Sequence, residues 1–173
     1  MKNMTALPPL EAHALKMQEA AVCLIKNDFR LAALMLVFTT IDQMAWVALP
    51  GDGDVKGKDF MAWVSTYMLG HNEAGLEAVT AGDLWGARCG LLHTATAESS
   101  SLKNGTASKK IAYSFGALKA TSLVPEWTVV KIEDLVQSLL AGILWFKADL
   151  DADSDRAATA NAKVVRMLLD HPI

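Results

Sequence analysis

From Phe29 to Leu49 the chain is apolar on almost every side of a helical projection, with Leu31, Leu34, Met35, Leu36, Val37, Phe38, Ile41, Met44, Trp46 and Val47 spread around it. Such a helix has no face to give to water, so it lies at the centre of a core or is covered by a second subunit. Asp42, with Gln43 beside it, breaks the most hydrophobic stretch after the eleven residues Leu31 to Ile41. A bilayer span needs about twenty, so no membrane insertion is expected. Pro50-Gly51-Asp52-Gly53 then stops the helix.

Helical periodicity covers most of the remaining sequence. Pro8 and Pro9 suit the first turn of a helix that runs to about Asn27, where Asn27-Asp28 is a cap-like interruption. Asp59 reads as the cap of a third helix, with Phe60, Trp63, Val64, Tyr67 and Met68 as one stripe before Gly70. Thr80 with Asp83 three residues on approximates a capping box and opens a fourth helix, about Ala81 to Glu98. Ser99 to Lys110 is polar and loop-like, and Ile111 to Gly116 fits a short strand, a turn or an extended segment. A fifth helix is expected from Thr128 to Asp149, and a last one from near Ser154, carrying Val164, Val165, Leu168 and Leu169. The expected architecture is all-α, one domain spanning 1–173, a bundle of about six helices.

Composition agrees with a packed core. The 173 residues are 52% hydrophobic and 20% charged, too apolar for a disordered chain. A formal net charge of −3 gives no overall basic field of the kind that marks nucleic-acid binders. Cys23 and Cys89 lie in apolar periodic segments and read as reduced core thiols. The first nine residues have no apolar signal core, so a cytoplasmic location is expected.

The fourth helix does not project as an ordinary amphipathic one. Leu84, Trp85, Leu91, Leu92 and Ala95 fall within an arc of about 120°, and Arg88 lies at its centre. A guanidinium keeps its charge and is costly to bury alone. Asp42 has equally little reason to sit in its apolar helix, which suggests an Arg88–Asp42 ion pair within or between subunits. On the opposite side Gly82, Gly86 and Gly90 recur every fourth residue, with His93 close by. Helical glycines cost about 1 kcal/mol each against alanine, so something approaches closely there: a neighbouring helix, or a ligand in an open groove leading to His93. From Ser99 to Pro125 the chain carries Lys103, Lys109, Lys110 and Lys119 and no acid. That basic segment fits phosphate contacts or a solvated loop.

Arg88-Cys89-Gly90-Leu91-Leu92-His93 is an R-x4-H arrangement on a helix of an all-α chain. It resembles the HEPN superfamily, whose members use such a motif for metal-independent RNA cleavage, with the Arg and His of two subunits converging across a homodimer interface. The resemblance implies catalytic roles for Arg88 and His93, no metal or other cofactor, and RNA as substrate. It also implies a toxin or defence role with a cognate antitoxin or regulatory protein as partner. Asp42 would orient Arg88, and Tyr113 is a candidate supporting residue. Cys89 departs from the polar residue that active members usually carry after the arginine, and some members of the family only dimerise or bind. A silent HEPN-like module and an unrelated bundle with a structural Arg88–Asp42 pair therefore stand beside the nuclease reading. Arg88 and His93 project about 140° apart on one helix, so two copies around a twofold axis are expected to bring them together.

Other signals are weaker. Asp149, Asp151, Asp153 and Asp155 alternate, but neither register supplies the Gly and Glu of a calcium loop, and an acidic turn with Asp153 or Ser154 as cap explains them. No zinc spacing, di-iron pair, phosphate loop or dinucleotide fingerprint is present. Trp46, at the end of the apolar helix, is a candidate interface anchor.

Overall fold

The computed structural model describes residues 9–71, 75–97, 99–115 and 125–169. Among these, helix α1 spans Pro9–Lys26, α2 Arg30–Ala48, α3 Gly57–Trp63, α4 Ala81–Thr94, α5 Ser100–Lys103, α6 Ile132–Asp151 and α7 Ser154–Leu169. Strands β1 (Lys110–Ser114) and β2 (Trp127–Lys131) form a two-stranded parallel sheet in which Tyr113 faces Val130. The chain is thus mostly α-helical, as expected, with one small addition.

Helix α2 is the central element. It packs against α1, α3, α4, α6 and α7, and Phe38, Ile41 and Met44 are wholly buried. Of the two coverings open to an all-round apolar helix, the chain itself supplies most; Phe29 and Leu31 at its start remain exposed. Contrary to the expectation from the eleven-residue run, α2 is not too short for a bilayer. At 19 residues α2 is long and apolar enough to cross a bilayer, but half of its most apolar window is buried inside the protein.

The α1–α2 turn closes as a Schellman motif. Asp28 takes the left-handed conformation (φ 63°), its N–H bonds the Ile25 carbonyl at 3.1 Å, and the Phe29 N–H bonds the Leu24 carbonyl at 2.9 Å. Helix α3 begins two residues before Asp59, whose carboxylate accepts the Lys56 N–H at 3.0 Å from the third helical position. It then widens into a π-helical turn, Val64–Leu69, against α6. Gly142 allows that contact, because a Cβ there would lie 2.9 Å from Met68 Cγ and 3.2 Å from the Tyr67 carbonyl.

Three boundaries differ from the periodicity. Thr128 to Lys131 is strand, not the first turn of a helix, because its β-branched run Thr128-Val129-Val130 pairs with β1. Helix α4 stops at Thr94, where Ala95 turns left-handed (φ 54°). The polar segment after it contains the short α5. Cys23 is exposed and Cys89 half-buried, so neither is a core thiol.

The last helix supplies an unexpected clamp. Lys163 is buried on α7 and its ammonium donates to the carbonyls of Trp46, Leu49 and Gly51 at 2.9, 2.6 and 2.8 Å. Those acceptors are the end of α2 and the turn after it, where a cation also meets the negative end of the helix dipole. Lys163 Nζ and Arg166 Cζ approach the Trp46 ring to 4.9 and 5.1 Å, so part of the indole is engaged within the chain. The acidic turn is a cap: Asp153 accepts the N–H groups of Asp155 and Arg156, at 3.2 and 3.1 Å.

Candidate functional site

Helix α4 is positioned from its first turn. The Thr80 hydroxyl accepts the Asp83 N–H at 3.1 Å, and Asp83 Oδ2 accepts the Thr80 N–H at 3.0 Å and hydroxyl at 2.7 Å. The other carboxylate oxygen accepts the N–H groups of Ser108 and Lys109, both at 2.8 Å, and the Ser108 hydroxyl at 3.1 Å. A side chain expected to serve as a cap therefore also ties the start of β1 to α4. Burial alone would raise the Asp83 carboxyl; the bonds from Lys109, Thr80 and Ser108 outweigh it and hold it below the usual carboxylate range.

Two of the three glycines, Gly82 and Gly86, are covered by the chain itself. A Cβ on Gly82 would lie 2.0 Å from the Thr106 carbonyl, and one on Gly86 would lie 2.8 Å from Ala107 Cβ. Residues of the segment 99–107, rather than a long helix, lie against α4 at these two positions. Gly82→Ala is expected to lower stability by about 1–3 kcal/mol through overpacking against backbone; a chemical denaturation midpoint unchanged from wild type would contradict this contact.

On the inward side the expected ion pair is present, within one chain. Arg88 Nε and Nη2 both donate to Asp42 Oδ2, at 2.9 and 2.7 Å. The two side chains are 21% and 20% exposed, so the pair borders solvent. Asp42 Oδ1 is buried without a hydrogen-bond partner. Burial pushes the Asp42 carboxyl up, more than the hydrogen bond and charge of Arg88 pull it down. For Arg88 burial works downward and Asp42 outweighs it, keeping the guanidinium above its ordinary value. Trp85, one turn earlier on α4, places its ring 5.1 Å from Arg88 Cζ and itself packs on Phe60.

With Nε and Nη2 committed to Asp42, Arg88 Nη1 turns toward His93, 3.5 Å from Nε2. This corrects the projection argument: the long arginine side chain runs along the helix and spans the angular gap, so one chain brings the two residues together. His93 itself is exposed at the C-terminal end of α4. The cluster thus has a fixed guanidinium edge and an accessible imidazole, a cation beside a group able to carry a proton.

Other expected site residues lie elsewhere. Tyr113 faces the interior from β1; its hydroxyl is buried with no hydrogen-bond partner, burial drives its pKa up, and no bond joins it to Arg88 or His93. Lys109, bonded through its N–H to Asp83, and Lys110, the first residue of β1, sit near the start of α4; Asp83 is ten residues before His93, about 15 Å along the helix axis. Lys110 lies 5.6 Å from the Trp127 ring, Lys103 is exposed at the end of α5, and Lys119 lies outside the described residues. Among the described residues no group of three His, Cys, Asp or Glu side chains is placed to hold a metal ion.

Sequence reasoning passed over Lys163, and it placed Trp85 on the core-facing arc without its approach to Arg88. A signal existed for each: Lys163 falls on the same face as Ala160 and Val164, and Trp85 lies at helical spacing from Arg88. Comparison with family models, curated proteins and solved structures finds no match. The class defined by fold and site is therefore a mostly α-helical protein with a half-buried Asp–Arg pair opening onto an exposed histidine.

Proposed function

We propose that the protein is a HEPN-like homodimer that cleaves RNA without a metal ion, with Arg88 and His93 at the reacting phosphate. The observation that carries this reading is the 3.5 Å approach of Arg88 Nη1 to His93 Nε2, with the rest of the guanidinium fixed by Asp42. In the reaction the 2′-oxygen bonds to phosphorus as the 5′-oxygen leaves. His93 takes the 2′-hydroxyl proton or supplies one to the leaving oxygen. Arg88 offers a permanent cation to the phosphate as charge develops, and Asp42 is a positioning residue. A dimer would set two such pairs in one cleft. RNA, a second copy of the chain, and a cognate antitoxin or regulatory protein are the partners this reading names, with a cytoplasmic location and a toxin or defence role.

Cleavage of a mixed RNA pool in EDTA tests it. The wild type is expected to cut, and Arg88→Ala and His93→Ala each to lose about a hundredfold or more in rate, with oligomeric state unchanged. A second reading, a silent dimerisation or binding module, is favoured by Cys89 following Arg88 and by the intrachain pairing of Arg88. A stable dimer without cleavage would select it. A stable monomer without cleavage would leave Arg88–Asp42 as a structural pair in a helical bundle.

A further inference from the structure

Helices α1 and α6 leave a cleft of about 820 Å³ between them, on elements that carry none of Asp42, Arg88 and His93. Protein interiors are close-packed, so a space of that size has a cause in the side chains. Ala14 on α1 and Ala141 and Ala148 on α6 line it where larger residues would fill it. Six large hydrophobic side chains are exposed among the described residues, and three of them, Leu15, Leu144 and Trp145, line this cleft. His71 stacks on the Trp145 indole at 4.1 Å, which fixes the ring in the wall. The cleft is elongated: Gln137 and Ala148, its ends on α6, are about 16 Å apart along the helix axis. Its volume and apolar lining are those of a small-molecule site.

The charges at one end select the ligand. Among the described residues that line the cleft, Lys147 is the only cation. Its ammonium is already shared by two carboxylates, Glu11 at 3.2 Å and Asp151 at 2.5 Å. This end therefore carries one negative charge in excess, and it lies at the C-terminal end of α6, where the helix dipole adds to it. An anionic ligand would have to displace a carboxylate from Lys147. A cationic one meets unbalanced negative charge and an aromatic ring. We propose that the α1–α6 cleft binds one molecule of a cationic single-chain amphiphile, a long-chain amine or quaternary ammonium compound. The alkyl chain lies along Leu15, Leu140 and Leu144, and the ammonium sits by Trp145 at the Glu11–Asp151 end. RNA cleavage is neither required nor altered.

Calorimetric titration of the full chain with dodecyltrimethylammonium below its micelle concentration, and with dodecanoate, tests both the site and its charge preference. The cation is expected to bind one to one, and about tenfold more tightly than the carboxylate. Ala141→Phe, which fills the cleft, and Leu144→Ser, at an exposed position, are each expected to weaken it about tenfold or more. The double variant Glu11→Gln/Asp151→Asn leaves Lys147 unopposed and should turn the preference toward dodecanoate. Circular dichroism checks that each variant is folded. Absence of saturable binding, wild-type affinity for dodecanoate equal to or above that for the cation, or affinity unchanged in both cleft variants overturns the proposal. So does a wild-type dimer that Leu144→Ser converts to a monomer, because a second copy then covers this face.

Discussion

Asp83→Ala is expected to lower the unfolding free energy by about 3–4 kcal/mol, a thermal midpoint drop on the order of 10 °C for a chain of this length. The residue is 1% exposed and its two oxygens accept five hydrogen bonds, from Thr80, Ser108 and Lys109. Alanine leaves those donors without their acceptor at the junction of α4 and β1. Thermal denaturation followed by circular dichroism measures the drop, and a midpoint within about 2 °C of wild type would contradict the network. Acid should act on the same junction. Because the folded carboxyl is held below its ordinary value, its stabilisation is complete above the unfolded carboxylate value near about 4. It is lost as pH falls through the lower folded value. Asp83→Ala should remove that part of the acid sensitivity.

Lys163→Met carries the second large effect, a loss of about 2–4 kcal/mol. Methionine keeps most of the aliphatic volume but cannot donate to the carbonyls of Trp46, Leu49 and Gly51. The substitution also removes the cation over Trp46. Urea denaturation compares it with Lys103→Met at an exposed position, where a change within about 0.5 kcal/mol is expected. Similar midpoints for the two variants would mean that the end of α2 is not held by α7.

The ion pair at the candidate site was legible because it follows from a rule about cost. Arg88 on a core-facing arc and Asp42 in an all-round apolar helix are each expensive alone, and pairing them is the cheapest resolution. The place of His93 beside Arg88 was not legible. A helical projection gives the direction of Cβ, about 140° apart for these two, but not where a long side chain with several rotatable bonds ends. Once Asp42 holds one edge of the guanidinium, the other edge reaches His93. Tyr113 and the lysines show the opposite failure: nearness in sequence to the motif helix did not place Tyr113 in the cluster or Lys109 and Lys110 beside His93.

Legible in the residues alone were the helical class, the need of α2 for cover on every side, the caps at Asp28 and Thr80–Asp83, and the pairing of Arg88 with Asp42, though not whether one chain or two supply the cover and the pair. Each depends on local periodicity, on turn chemistry or on the cost of an unpaired charge. The folded chain alone reveals that α2 is covered mostly from within, that residues of 99–107 pack on Gly82 and Gly86 of α4, and that 127–131 is strand. It also reveals that Lys163 closes the end of α2. Those outcomes depend on which distant backbone arrives with free carbonyls or N–H groups, and a buried polar group takes whatever partner the fold delivers.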